Sequence, residues 1–164
     1  MRIVCDTGPL LHLLEAESLA LLGRAGRVYI PTSVQSELLA HYPRWSAERP
    51  DWVEIVPLES TFAREALAWV RSKLLDQGEA EALALCGQLS ADWFLTDDTA
   101  ARMIAQSQGQ EVHGSLGVVL WAAATGALDS AGARASLAKL AQSSLWISAR
   151  VLGEADTALS RIFE

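Results

Sequence analysis

Short apolar runs alternate with longer stretches of helical period along most of the chain. Ile3-Val4-Cys5 reads as a buried strand, and Pro9 suits an early helical position ahead of Leu10, Leu11, Leu13 and Leu14. Ser18 is a candidate cap for a helix through Leu22 that Gly23 and Gly26 would end, and Val28-Tyr29-Ile30 is a second strand stopped by Pro31. Thr32 followed three residues later by Gln35 is a capping-box pattern. It opens a helix to about His41, with Glu37 in the second turn. Tyr42 to Pro50, with two prolines and Trp45, reads as a loop, and Trp52 to Val56 as a short edge strand.

Phe62, Ala66, Trp69, Val70 and Lys73 fit one helix, and a break around Asp76-Gln77-Gly78 precedes another from about Glu79 to Leu89, with Glu81 in its first turn. Trp93-Phe94-Leu95-Thr96 is a further strand. The helix after Asp98 carries Met103-Ile104 and ends at Gly109, and Glu111-Val112-His113 is the last strand. Helices near 116–125, 130–142 and 148–162 complete the chain. Strands alternating with helices over most of the length predict an α/β protein with a parallel sheet covered on both faces.

Composition narrows the class. The chain has 164 residues, of which 51% are hydrophobic and 20% charged, a globular balance in a length that suits one core without disulfides. We expect a single domain over 1–164, its C-terminal helices from about 116 packing on the same core. The start lacks the features of a secretory signal, and the longest charge-free segment, about fifteen residues from Gly114 to Leu128, falls short of the roughly twenty that cross a bilayer. The expectation is a soluble cytoplasmic protein with no membrane partner. Cys5 and Cys86 each lie in an apolar run and read as buried, reduced thiols.

The net charge of −7 argues against a broad basic nucleic-acid surface, and the basic residues are scattered, with Lys73 and Lys139 the only lysines. Carboxylates gathered around a cation are neutralised locally, so the sign alone leaves a nucleic-acid substrate open. The acids themselves are placed suggestively. Asp6 closes the first strand, the Asp97-Asp98 pair closes the strand at Trp93, and Glu37 and Glu81 lie near the starts of helices. In an open parallel sheet the carboxyl ends of the strands line one crevice, so residues far apart in the chain converge there. Converging carboxylates without a nearby lysine call for a cation, and hard divalent ions take oxygen ligands together with substrate phosphates. One or two such ions support in-line phosphodiester cleavage without a nucleophilic side chain. Thr7 and Thr96, each beside an acid, are candidates to hold a bound water or a phosphate oxygen. Each acid also has a structural role open to it: a turn former at Asp6, a solvated helix residue at Glu37, an N-cap at Asp98, and helix-dipole partners at Glu79 and Glu81.

The stretches Ile3-Val4-Cys5-Asp6-Thr7-Gly8-Pro9-Leu10, Ile30 to Leu38, Asp76 to Leu85, and Leu95-Thr96-Asp97-Asp98 with Ala101-Arg102 together resemble the PIN-domain family of metal-dependent ribonucleases. The likeness is particularly to the small prokaryotic, VapC-type toxins of toxin–antitoxin pairs and covers nearly the whole chain. It implies a three-layer α/β/α sandwich with a central parallel sheet, Mg²⁺ or Mn²⁺ at an acidic crevice, and hydrolysis of RNA. Carried over by position, Asp6, Glu37 and Glu81 are the first three metal ligands, and the fourth is Asp97 or Asp98, with Asp98 preferred. Glu79 is the fallback for the third place, pointing about 200° away from Glu81 on a helix of 3.6 residues per turn. The resemblance also implies an antitoxin partner and a homodimer, for which the helix from Phe62 to Val70 is a candidate interface if its apolar residues are not core.

Two rivals remain in view. A phosphatase or receiver domain on a similar sheet lacks support, since Gly8 stands where the former needs a second aspartate and no late strand-end lysine serves the latter; no Gly-x-Gly-x-x-Gly turn follows a strand either. A catalytically silent PIN-like binding or assembly module is the alternative from another class.

Overall fold

The computed structural model describes residues 1–164. Five strands form one all-parallel sheet: β1 (Arg2–Cys5), β2 (Arg27–Ile30), β3 (Val53–Ile55), β4 (Trp93–Leu95) and β5 (Val112–His113), in the order β3-β2-β1-β4-β5. Ile3 pairs with both Val28 and Trp93, so β1 is central and the chain winds outward from it in both directions. Ile3, Val4 and Cys5 are fully buried, as are Phe94 and Leu95 beside them, which is why these runs show no polar alternation. The architecture is the expected three-layer α/β/α sandwich.

Ten helices cover the sheet: α1 (Thr7–Glu15), α2 (Ala20–Ala25), α3 (Thr32–His41), α4 (Trp45–Glu48), α5 (Ser60–Arg71), α6 (Gln77–Leu89), α7 (Thr99–Ser107), α8 (Ser115–Ala124), α9 (Ser130–Ala141) and α10 (Ala149–Phe163). Helix α6 packs against β1, β4, α3, α5 and α7, so nearly every side of it is covered. Its run Ala80, Ala82, Leu83, Ala84, Leu85 and Cys86 is buried accordingly, and the small alanines admit close neighbours. Helix α8 joins two apolar clusters. Val118, Val119 and Ala122 belong to the main core, while Ala123 joins Ala133, Leu137, Ala155 and Leu159 in a smaller one beneath α9 and α10.

Several boundaries differ from the sequence reading, each for a local reason. The 42–50 segment is not all loop: α4 forms because Trp45 is drawn into the core, 1% exposed, with its indole N–H donating to Gln35. The Thr32–Gln35 capping box does not form, since extended Pro31 occupies the cap position and no side-chain bond is made there. Ser18 likewise donates to the Ala16 carbonyl instead of capping α2, which continues through Gly23 to Ala25. Helix α6 starts two residues early. Asp76 accepts from the Glu79 N–H while the Glu79 carboxylate accepts from the Asp76 N–H, a reciprocal box that pulls Gln77 and Gly78 into the helix. Gly109 ends α7 as expected, with a φ of 77° that favours glycine. Both cysteines are free and buried. No helix is long and apolar enough to cross a membrane.

Candidate active site

The switch from one winding direction to the other lies between β1 and β4, and parallel sheets bind ligands outside their carboxyl ends at such a point. Asp6 and Asp97 leave the sheet there. The Asp6 N–H still donates to the Leu95 carbonyl at 3.0 Å, and the Thr96 N–H to His113 at 3.0 Å, so the strand ladder holds both turns in register. The resulting open crevice, about 380 Å³, is lined by Asp6, Thr7, Gly8, His12, Glu37, Asp76, Glu79, Asp97, Asp98, Ser144, Leu145 and Trp146. Six acids face it and no lysine or arginine does.

Asp6 sits at the base of this crevice, 4% exposed. It is the N-cap of α1, accepting from the Gly8 N–H at 2.9 Å, and its other oxygen accepts from the Thr96 hydroxyl at 2.5 Å. Burial pushes its carboxyl up to about 8; the Thr96 and Gly8 hydrogen bonds oppose that shift, and the charges of Asp97 and Glu79 add to it. Thr96 also accepts from the Asp98 N–H at 3.1 Å, coupling the ends of β1 and β4 through one hydroxyl.

Glu37 reaches the crevice from α3, accepting from the Thr7 hydroxyl. Its carboxylate rests on Gly78 in the first turn of α6, where a Cβ would lie 2.5 Å from one carboxylate oxygen and 2.6 Å from the other. Glycine there is what gives Glu37 its place, and the helix N-terminus favours the negative charge. The two threonine hydroxyls donate to the acids, Thr7 to Glu37 and Thr96 to Asp6.

Of the two glutamates on α6, Glu79 is the one at the crevice. Burial, chiefly, raises its carboxyl above the ordinary value, with the Asp76 N–H bond opposing and the Asp76, Asp98 and Glu37 charges adding. Glu81 is turned away, bonded by the Gln77 amide at 2.9 Å and lining a hollow against Ala63, Ala66, Leu67 and Val70 of α5. The fallback for the third place, Glu79, thus lines the crevice with the other acids, and Glu81 does not. Two residues along a helix rotate a side chain by about 200°, and the α6 start set by Asp76 decides which glutamate faces inward. The α5 helix carrying the candidate interface is mixed: Phe62, Trp69 and Val70 pack on the core, while Leu67 is 44% exposed.

Both members of the acid pair line the crevice, with different environments. Asp98 is the N-cap of α7, accepting from the Ala101 N–H at 2.8 Å. Asp97 accepts from the Ser115 N–H at 2.8 Å, the Ser115 hydroxyl at 2.5 Å and His12 Nδ1 at 2.7 Å. Burial pushes the Asp97 carboxyl up, but the bonds from His12 and Ser115 outweigh it and leave the group below the ordinary carboxylate value. His12, missed in the sequence, lies one helical turn beyond Gly8 on the same face of α1, where a Cβ on Gly8 would stand 3.5 Å from the imidazole. That i, i+4 spacing from the glycine after Asp6 was the available signal. Ser115 gave none, because it follows the last strand. Nor did Ser144, Leu145 and Trp146, which arrive from the α9–α10 connection.

The donor set is one of hard carboxylate oxygens, with like charges pressing on a buried Asp6 and no cationic side chain to offset them, which is chemistry suited to a divalent cation. In the present side-chain conformations no three His, Cys, Asp or Glu groups converge closely enough to hold an ion. Glu79 is folded back into its cap and Asp98 into its own.

A family model described as PIN domain matches residues 2–161 of the chain. No curated protein matches it.

Proposed function

We propose that this chain, which belongs to the PIN-domain family, is a metal-dependent endoribonuclease that hydrolyses RNA phosphodiester bonds and serves as the toxin of a cytoplasmic toxin–antitoxin pair. PIN domains are generally nucleases that use divalent metals. The observation that carries the reading for this chain is Asp6: a buried carboxylate at the topological switch point, surrounded by further acids and left without a cationic partner.

Asp6, Glu37 and Asp98, with Glu79 in the third place, are the residues that would hold Mg²⁺ or Mn²⁺, hard ions that take carboxylate oxygens together with substrate oxygens. The bound ion supplies the charge that activates water and stabilises the leaving oxygen. Thr96 and Gly8 orient Asp6, and Thr7 orients Glu37. Asp97 holds one imidazole nitrogen of His12 and so orients the ring where it lines the crevice. We read residues 1–164 as one unit, with an antitoxin that wraps the domain and reaches the acidic site as its partner.

The alternative, a silent PIN-like module, draws on one observation: Glu79 and Asp98 are both occupied as helix caps. Cleavage of a mixed RNA panel with Mg²⁺, Mn²⁺ or EDTA separates the two. The nuclease reading expects metal-dependent cleavage that disappears in folded Asp6→Asn and Asp98→Asn variants. Cleavage retained by both variants, or absent from the wild type on every RNA, defeats it.

A further inference from the structure

One apolar feature of the crevice has no part in holding a cation. Trp146 is 84% exposed, whereas Trp45 and Trp93 are buried and the other three tryptophans are partly buried. Leaving so large a ring in water forgoes much of the favourable burial available to a tryptophan. We propose that Trp146 is a substrate-binding residue, a stacking platform for the base of a nucleotide adjoining the phosphate that is cut; the inference rests on the ribonuclease reading above.

The ring is presented by a pinned segment. Ser144 donates from its N–H to Glu15 at 2.7 Å and from its hydroxyl at 2.8 Å, Leu145 N–H bonds the Ser143 hydroxyl at 3.2 Å, and Ser148 caps α10 by accepting from Val151 at 3.2 Å. Leu145 and Ile147 pack on the main core, so Trp146 between them is turned out. Trp146 is the one strongly exposed apolar side chain here, and Leu116, Leu145, Ile147 and Val151 around it are each partly buried. The other strongly exposed apolar side chains, Met103, Leu74, Met1 and Leu67, do not line the crevice.

Continuity with the acidic site points to the occupant. Trp146 lines the same crevice as Asp6, Glu37 and Asp98, and with Leu145 it provides all of that crevice's apolar lining. On its other side the ring borders a hollow formed by Leu116, Ile147 and Val151. Affinity for nucleic acid normally comes from lysines and arginines on phosphates, yet the chain carries a net charge of −7 and no such residue faces this site. Base–aromatic stacking supplies affinity without added positive charge and tolerates any base. A single-stranded substrate follows, because a paired base has no free face for the ring.

The experiment measures binding of a labelled single-stranded RNA in Ca²⁺ and its cleavage in Mg²⁺, for wild type, Trp146→Ala, Trp146→Phe and Trp146→Leu. Each is run against the intact RNA and a series with one abasic position moved along it. Melting curves confirm that all four proteins are folded. Trp146→Ala and Trp146→Leu are expected to weaken binding roughly 5- to 100-fold, with Trp146→Phe close to wild type. One abasic position near the cut should weaken wild type similarly and leave Trp146→Ala indifferent. Full binding by Trp146→Leu, or an abasic profile unchanged in Trp146→Ala, overturns the stacking role. Binding that depends on Trp146 without cleavage defeats the nuclease and leaves stacking in place. Cleavage indifferent to Trp146 does the reverse, and neither binding nor cleavage defeats both.

Discussion

Asp6→Asn is expected to stabilise the metal-free protein in alkaline solution while abolishing its activity. Burial raises the Asp6 carboxyl from an ordinary 3.8 to about 8. Between those values the folded chain keeps a proton that the unfolded chain has released, so stability is greatest below the unfolded value and falls as pH rises through the folded one. Every tenfold change in proton affinity is worth about 1.4 kcal/mol, so the wild type loses roughly 3–4 kcal/mol between about pH 5 and about pH 8 on account of this group. Asparagine does not titrate and removes that slope. It keeps the bond from the Gly8 N–H but puts an amide N–H in place of the oxygen that accepts from the Thr96 hydroxyl, a loss of about 1 kcal/mol at either pH. The net expectation is a variant more stable than wild type by about 2–3 kcal/mol near pH 8 and less stable by about 1 kcal/mol near pH 5. Urea denaturation in EDTA at both pH values reads this directly. Adding Mg²⁺ at about a hundred times its dissociation constant restores about 2.7 kcal/mol to the wild type and nothing to the variant. Parallel pH profiles for the two proteins, or a variant less stable near pH 8, refute the account of Asp6 as a buried, like-charge-crowded carboxylate.

Gly78→Ala tests the seat of Glu37. The added methyl meets the end of a flexible side chain, so stability should change by less than about 1 kcal/mol, with the helix gaining propensity, while cleavage falls at least about tenfold as Glu37 is displaced; an unchanged rate contradicts it. Glu79→Gln and Glu81→Gln separate the two glutamates of α6. Activity should drop in the first and persist in the second, and the opposite result in a cleavage assay would restore the assignment of Glu81. Asp97→Asn weakens the bonds from His12 and Ser115 and should cost about 2–3 kcal/mol at neutral pH. Because the Asp97 carboxyl lies below its ordinary value, that contribution is present above the unfolded value and lost as pH falls through the folded one, so thermal melts of variant and wild type should converge in acid. A difference that persists in acid would mean that packing, not charge, is what Asp97 provides.

Much of this arrangement can be read along the chain. A fully buried strand excludes polar residues until it leaves the sheet, so Asp6 and Asp97-Asp98 announce the carboxyl ends of β1 and β4 by ending apolar runs. Helical period likewise exposes α5 and α10, and Gly109 marks the end of α7 through a backbone conformation that favours glycine. Parallel pairing gathers those strand ends on one edge whatever the strand order, and so Asp6, Glu37 and Asp98 could be grouped in advance.

What could not be read is what depends on contacts between distant segments. The choice of Glu79 over Glu81 rests on where α6 starts, and the Asp76 box competes there with other plausible starts of similar energy. Thr32 and Ser18 carry good capping residues that went unused because Pro31 and the Ala16 carbonyl offered alternatives nearby. Helix α4 exists because Trp45 finds a core pocket and a Gln35 acceptor, which a segment with two prolines does not advertise. His12 and Trp146 come to the crevice, and buried Ser115 to the Asp97 that lines it, from three separate elements with no shared spacing, so no pattern in one dimension links them. Local chain chemistry specifies strands, helices and the acids at their ends; solvent exclusion and hydrogen-bond matching across the folded core select which of those groups meet, and which charge is left buried among them.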